Sequence, residues 1–313
     1  MQKSQDDLIF VFIGTENYHF MIKRNITLLK RIYPNSPIIV YDWGDANGSP
    51  SSTQFPKNVE VINWSNRIKD TWHLMEIYSQ KRRIEIGKSY NSRRGGGFAK
   101  RLDKFYLKRL PNSSMAKAVI ERGLKYENLL LHKSYNLIEC SKKLTDKAFF
   151  LLDADAFLVD RIDEIFDEDP DIVLPMVEPS KQGWDYNNCH GLSTGIAGFG
   201  YRTAERDTFL TNWYSAIGKN DEWFRELAAM NRLFKEKSPE IFDNWGLNTI
   251  NLGEQDVKIK TIENDVYNCV LNYQDSPSNF DRVKILHLAG IAQRPHLFNH
   301  YLQMVEQELE RRR

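Results

Sequence analysis

The chain has little of what announces most protein classes. It holds three cysteines in 313 residues, Cys140, Cys189 and Cys269, and none form a C-x-x-C pair. That spacing excludes a disulfide-stapled secreted scaffold and points to a reduced, intracellular setting. His190 beside Cys189 has no partner at metal-ligand spacing. No stretch approaches the roughly 20 apolar residues that span a bilayer. The first seven residues are polar and lack a signal-peptide core. Net charge is +1, which argues against a protein built to coat nucleic acid. There is no G-x-G-x-x-G dinucleotide fingerprint, no internal repeat and no low-complexity tract. A cytoplasmic globular chain is expected, with 41% hydrophobic and 12% aromatic residues to build its core.

What is there centres on an acidic pair closing an apolar run. Residues 149–159 read FFLLDADAFLV. The run is short, apolar and bounded by polar residues, the signature of a buried strand. Asp153 and Asp155, one residue apart at its end, must be solvated, hydrogen-bonded or neutralised by a cation. A divalent metal holding a diphosphate satisfies both, because hard oxygen ligands suit Mg²⁺ or Mn²⁺. The plainer alternative is a strand end with two solvated carboxylates.

The surrounding pattern is strand–helix–strand. Residues 8–13 (LIFVFI), 38–41 and 59–63 read as strands, and 18–33 as a helix broken by Pro34 and Pro37. Such alternation implies parallel pairing, with ligands at the carboxyl ends of strands. Thr15, Asp42 and Asp153 all follow strand ends and could face one cleft. Residues 126–144 read as the helix leading into the acidic strand. A helical turn is expected around Ile165, a strand at 172–175, and strand plus turns in the Gly-rich 191–200. Helices are expected at 203–217 and 222–234, and a late strand at 285–288. Residues 297–313 read as an amphipathic helix with a basic tip, either a cap on the core or a membrane-surface contact.

Residues 67–109 are different in character. Thirteen Lys and Arg face four acids there, a local net of +9. The segment reads as a solvated basic face or as a mobile loop, around residues 93–97, that closes over phosphates. Nucleic acid is not the expected partner, since the remaining chain balances the charge.

Taken in order, several segments resemble nucleotide-sugar glycosyltransferases of the GT-A fold, family 8 above all. The Asp153-Ala154-Asp155 strand end is followed by His287-Leu288-Ala289-Gly290-Ile291-Ala292-Gln293-Arg294-Pro295-His296, similar to H-x-x-G-x-x-K-P-W. Arg294 stands at the Lys position and His296 at the Trp. Residues 193–199 resemble the N-x-G segment without its Asn. Residues 243–248 resemble D-Q-x-x-L-N, with Asn244 at the Gln position, and 266–269 resemble a Y-N step. The likeness runs from residue 8 to Pro295 and leaves out 67–109.

The resemblance implies an α/β GT-A fold: a Rossmann-like, mostly parallel central sheet with flanking helices. It implies one catalytic domain over 1–296 with a basic insertion at 67–123, then the 297–313 helix. It implies transfer from a nucleoside-diphosphate sugar, UDP by preference, to a glycan or glycolipid, with retention. Asp153, Asp155 and His287 would hold Mn²⁺ or Mg²⁺. Thr15, Tyr18, Asp42, Lys133, Ala154, Gly195 and Gly290 would bind the donor, and Arg294 the leaving diphosphate. Asp243 and Asn244 would meet the sugar.

Plainer roles stand beside these. Thr15 and Tyr18 could simply start a helix, Asp42 cap a turn, Lys133 sit on the surface and His287 pack in the core. Asp243 could be the N-cap of a helix over 245–250. Glu178, Asp185 and Asp243 are the bases to test if transfer inverts. A phosphotransferase of the haloacid dehalogenase type also ends an apolar strand in D-x-D, but near its N-terminus and followed by Thr or Val. A nucleotidyltransferase would want a basic Gly-rich loop after the first strand, which Gly14-Thr15-Glu16-Asn17 does not supply. A degenerate, binding-only GT-A domain is the non-enzymatic alternative.

Overall fold

A computed structural model describes residues 8–45, 49–93, 97–182, 191–219, 222, 224–253, 255–271, 280–288 and 295–312. β1 (Ile9–Gly14) leads through a 3-10 turn into α1 (His19–Ile32), and β2 (Ile38–Asp42) and β3 (Val59–Asn63) follow. Then come α2 (His73–Glu76), α3 (Gln80–Arg93), α4 (Phe98–Arg109) and the 30-residue α5 (Ser114–Lys143). β4 (Phe149–Asp153), β5 (Ala156–Leu158), β6 (Ile172–Met176) and β7 (Ile196–Phe199) precede α6 (Thr203–Gly218) and α7 (Arg225–Lys237). The chain continues through β8 (Gly246–Asn251), β9 (Asp256–Glu263), α8 (Asn264–Tyr267), β10 (Cys269–Val270), β11 (Ile285–His287) and α9 (Pro295–Arg311).

Eight strands form one sheet in the order β3-β2-β1-β4-β7-β6-β9-β8. β3, β2, β1 and β4 pair in parallel, as do β6 and β9, while β7 and β8 run against their neighbours. The sheet is thus mostly parallel and flanked by helices, the α/β class expected. β1 reads IFVFIG and is buried throughout, because both of its faces are covered. Ile9, Val11 and Ile13 face a core shared with α5, α6 and α7, while Phe10 and Phe12 face α1 through Ile22, Ile26 and Leu29. Parallel register puts Gly14 beside Asp42 and Ile13 beside Asp153, so these strand ends share one edge.

A second, three-stranded sheet runs β10-β11-β5. It leaves the main sheet at the turn carrying Asp155 and is covered by α9. Phe298, Tyr301, Leu302, Val305 and Leu309 of α9 pack on Phe157, Leu286 and Leu288. Arg312 pairs with Asp160 at 3.1 Å and Arg311 with Asp281 at 2.6 Å. Both the apolar stripe and the described basic residues of the tail are thus committed to the body, and the membrane-surface alternative for the tail loses its basis.

Three expectations change. Residues 246–251 form strand β8, so Asp243 is not the N-cap of a helix there. The helix expected at 126–144 begins at Ser114, whose preceding Ser113 hydroxyl accepts from the Ala116 amide. Much of the basic segment is helical, as α3 and α4. The glycine-rich core of its expected mobile loop, 94–96, lies outside the described residues. α3 can seat on α5 because Gly123 lets Ile86 approach: a Cβ there would lie 2.9 Å from Ile86 Cγ2.

Candidate functional site

The site is built at the carboxyl edge of β4. Asp153 ends the strand and Asp155 lies in the turn before β5. β11 pairs antiparallel with β5, setting His287 opposite Ala156, and the Leu288 amide donates to the Asp155 carbonyl at 2.8 Å. His287 Nε2 thereby comes 3.2 Å from Asp155 Oδ1. One ligand atom each from Asp153, Asp155 and His287 lies within 4.8 Å of the others. Asp155 and His287, 132 positions apart in the chain, are brought together by a pair of three-residue strands.

The other ring nitrogen fixes the histidine. Asn268 Nδ2 donates to Asn264 Oδ1 at 2.8 Å and to Ser193 Oγ at 3.1 Å, which uses both of its hydrogens. Its Oδ1 therefore accepts from His287 Nδ1–H, at 2.8 Å. The Nε2 lone pair is left facing a carboxylate oxygen, and two acceptors at that range need a proton or a cation between them. Burial would push the His287 imidazole down, but Asp155 and Asp153 outweigh it, so its pKa is raised. Burial pushes Asp155 up and His287 more than offsets it, leaving that carboxyl lowered. A metal-bound histidine orders its other N–H in the same way. The donor set of two carboxylates and one oriented imidazole fits a divalent cation.

Lys133, on α5, donates to Asp153 Oδ1 at 2.5 Å and is buried. Burial still raises the Asp153 carboxyl, against the opposing charges of Lys133 and His287. Asp153 Oδ2 turns toward Gly195, where an added Cβ would sit 3.3 Å from it. The same Cβ would lie 2.6 Å from His287 Cε1, so only glycine lets this backbone pass between the two side chains. Tyr18 joins the cluster: its phenol is raised by burial and by the charges of Asp155 and Asp153.

The remaining residues named from the sequence fall as follows. Thr15 is buried at the β1 end and makes no capping bond through its side chain. Asp42 accepts from the Gly44 amide and from Ser51 Oγ, both at 2.7 Å, with His19 Nε2 at 3.2 Å. It acts locally as a turn cap. Ala154 packs its methyl in the core, so any donor contact it makes is through its backbone. Asp243 and Asn244 are exposed just before β8, at the same sheet edge but four strands from β4, roughly 19 Å by strand spacing. Gly290 and Arg294 lie outside the described residues, as do Asp185, Cys189 and His190.

Sequence reasoning missed Asn268, Asn264 and Ser193 as a chain orienting the histidine. The signal was there in part, since Asn268 belongs to the Y-N step. It also missed a buried acid pair behind Lys133. Glu127 accepts from the Arg225 amide at 3.0 Å and from Tyr78 at 3.3 Å, and burial pushes its carboxyl up to about 7. Burial, then Glu127, pushes Glu226 up to about 8, with Lys133 opposing.

No protein-family model matches the chain, and no curated protein matches it in sequence. Solved structures similar to it include a glycosyltransferase involved in the glycosylation of the major capsid of PBCV-1, at 10% identity and TM-score 0.45, covering 95% of this chain and 99% of that one. Another is the galactosyltransferase LgtC in complex with donor and acceptor sugar analogs, at 10% identity and TM-score 0.46, covering 95% and 96%. A third is the glycosyltransferase GlyE of Streptococcus pneumoniae TIGR4, at 13% identity and TM-score 0.44, covering 97% of this chain and 62% of that one.

Proposed function

We propose that the chain is a metal-dependent glycosyltransferase that moves a sugar from a nucleoside-diphosphate sugar, with UDP as the nucleotide, to a glycan or glycolipid. The observation that carries this reading is the meeting of Asp153, Asp155 and His287 at the carboxyl edge of the parallel strands. Open α/β sheets take ligands at that edge. Two carboxylates and an imidazole suit Mn²⁺ somewhat better than Mg²⁺. Such an ion, when bound, neutralises a diphosphate and stabilises the charge it gains on leaving.

The chain's own residues would do the rest. Asp155, Asp153 Oδ2 and His287 Nε2 would hold the ion, with Lys133 steadying the other oxygen of Asp153. Tyr18, kept protonated, would donate to a donor oxygen beside the acidic pair. Thr15 and Asp42 would line the nucleoside end, and Gly290 and Arg294 the diphosphate. Asp243 and Asn244 are proposed to meet the sugar or its acceptor rather than the ion. Retention is the proposed outcome. Glu178, beyond β6, is tied to Ser180 and to Lys181 at 2.8 Å, which lowers its carboxyl and weakens it as an inverting base.

Thermal-shift titration with UDP-sugars, with and without MnCl₂, tests the site. Binding raises the melting temperature by mass action. The shift is expected to need Mn²⁺ and to vanish in Asp155→Ala. A UDP-sugar shift undiminished in that variant would refute the ion-bridged diphosphate. An inverted product anomer by NMR would refute retention alone.

A further inference from the structure

α4 turns an apolar row to solvent. It buries Asp103 and Leu107 against α5, where Leu107 joins Ala116 and Val119. Phe98, Leu102 and Phe105 are 76%, 37% and 52% exposed. At about 100° per residue these three fall within roughly 60° of one another, on the side opposite Asp103 and Leu107. Arg101, Lys104 and Lys108 flank the row on one side and Arg109 extends it. All four are exposed and form no ion pair among the described residues. Leu110 and Met115, 49% and 46% exposed, continue the apolar surface into α5.

Charge is segregated to match. The chain carries +1 in all and residues 67–109 carry +9, so an anionic partner is attracted here and not elsewhere. Placement matters too. Lys133 sits level with the β4 end, and α5 runs back from it past the carboxyl edge of the sheet. α4 packs at residues 116–119, roughly 20–25 Å beyond Lys133 at 1.5 Å per residue. The apolar row is therefore carried out on the cleft side of the molecule. Exposed apolar side chains bordered by unpaired bases on one helix face are the pattern that enters a headgroup layer.

We propose that α4 docks the protein on a bilayer containing anionic lipid, with Phe98, Leu102 and Phe105 entering the headgroup–acyl boundary and the four bases meeting lipid phosphates. The inference does not rest on glycosyl transfer.

The test is co-sedimentation of the full chain with vesicles of phosphatidylcholine alone, and of phosphatidylcholine with one third phosphatidylglycerol. The protein is expected to bind the anionic vesicles and to be released by salt. Lys104→Gln with Lys108→Gln should weaken binding on the order of 30-fold, from about 1 kcal/mol per base. Phe105→Asp should weaken it about tenfold or more. These positions are exposed, so unchanged melting temperatures are expected. Arg311→Gln, on the tail, should bind like wild type. Absence of binding to anionic vesicles at low salt overturns the proposal. So does equal weakening by Arg311→Gln. Full binding by Phe105→Asp also overturns it, reducing the surface to a polyanion patch for an acidic protein or nucleic acid.

Discussion

Gly195→Ala is the sharpest perturbation of the site. The new methyl would lie 2.6 Å from His287 Cε1 and 3.0 Å from Nδ1, where 3.4–4 Å is ordinary contact. One side must move by about 1 Å, and neither is free to. The Gly195 carbonyl accepts from the Asp153 amide at 3.0 Å. The histidine is held by Asn268 at 2.8 Å and by its pairing with β5. Overpacking of this kind costs about 1–3 kcal/mol. In a chain of this size that is a fall of roughly 2–10 °C in Tm. Metal–ligand distances tolerate only about 0.2 Å, so Mn²⁺ affinity should drop at least tenfold as well.

A double-mutant cycle separates the clash from general damage. In a His287→Ala background the ring is gone, and Gly195→Ala should cost almost nothing in Tm. The two substitutions are thus expected to couple by most of the single-mutant cost. Thermal unfolding of the four proteins, with and without MnCl₂, reads both quantities. If Gly195→Ala costs the same in both backgrounds, the close passage of backbone between Asp153 and His287 is wrong.

Other outcomes follow from the same contacts. Asn268→Ala removes the acceptor that orients His287 and should weaken Mn²⁺ binding about 10–100-fold; isothermal titration giving wild-type affinity would remove Asn268 from the site. Glu127 and Glu226 titrate near 7 and 8 when folded, against an ordinary 4.5. The unfolded chain releases these protons first, so stability should fall as pH rises from about 4.5 to 8. Glu226→Gln should flatten that fall by on the order of 2 kcal/mol or more, and an unchanged slope in melting at three pH values would count against the buried pair. Arg206 is fully buried and donates to the carbonyls of Ser141, Leu144, Lys147 and Gly200, closing the end of α5 onto the sheet. Arg206→Met takes a donor from each of the four, of which Leu144 keeps the Lys147 amide at 3.2 Å, and should cost about 3 kcal/mol or more by denaturant unfolding; a loss under 1 kcal/mol would contradict the clamp.

The parts of the fold that could be read from sequence are those whose local chemistry is unmixed. β1, β2 and β4 are apolar runs closed by Gly or Asp, and they hold the cleft edge. β8 could not be read that way. It is an edge strand reading GLNTIN, polar and half exposed, and its strand character comes from pairing with β9. α3 reads QKRRIEIGKSYNSR, with no clear apolar face, and is held by the close approach of Ile86 to Gly123. Family resemblance alone set Lys133 at the donor; its local sequence reads equally as a surface lysine, because no local pattern reveals that α5 delivers it to Asp153.

The histidine is where local reading stops altogether. Only family resemblance linked His287 to Asp153 and Asp155, because their meeting depends on register in a sheet of two- and three-residue strands. In β11, Leu286 faces the α9 cluster, Ile285 belongs to the core beneath β1, and His287 between Leu286 and Leu288 turns to the cleft. A slip of one residue would exchange those faces and send the imidazole under α9. Strands this short do not fix their own register. What fixes it is the apolar packing of Leu286 and Leu288 against Phe298, Tyr301 and Val305, reinforced by Arg312 on Asp160. The C-terminal helix is therefore part of the site's machinery at a distance. It selects the register in which a histidine far along the chain stands over the acidic pair.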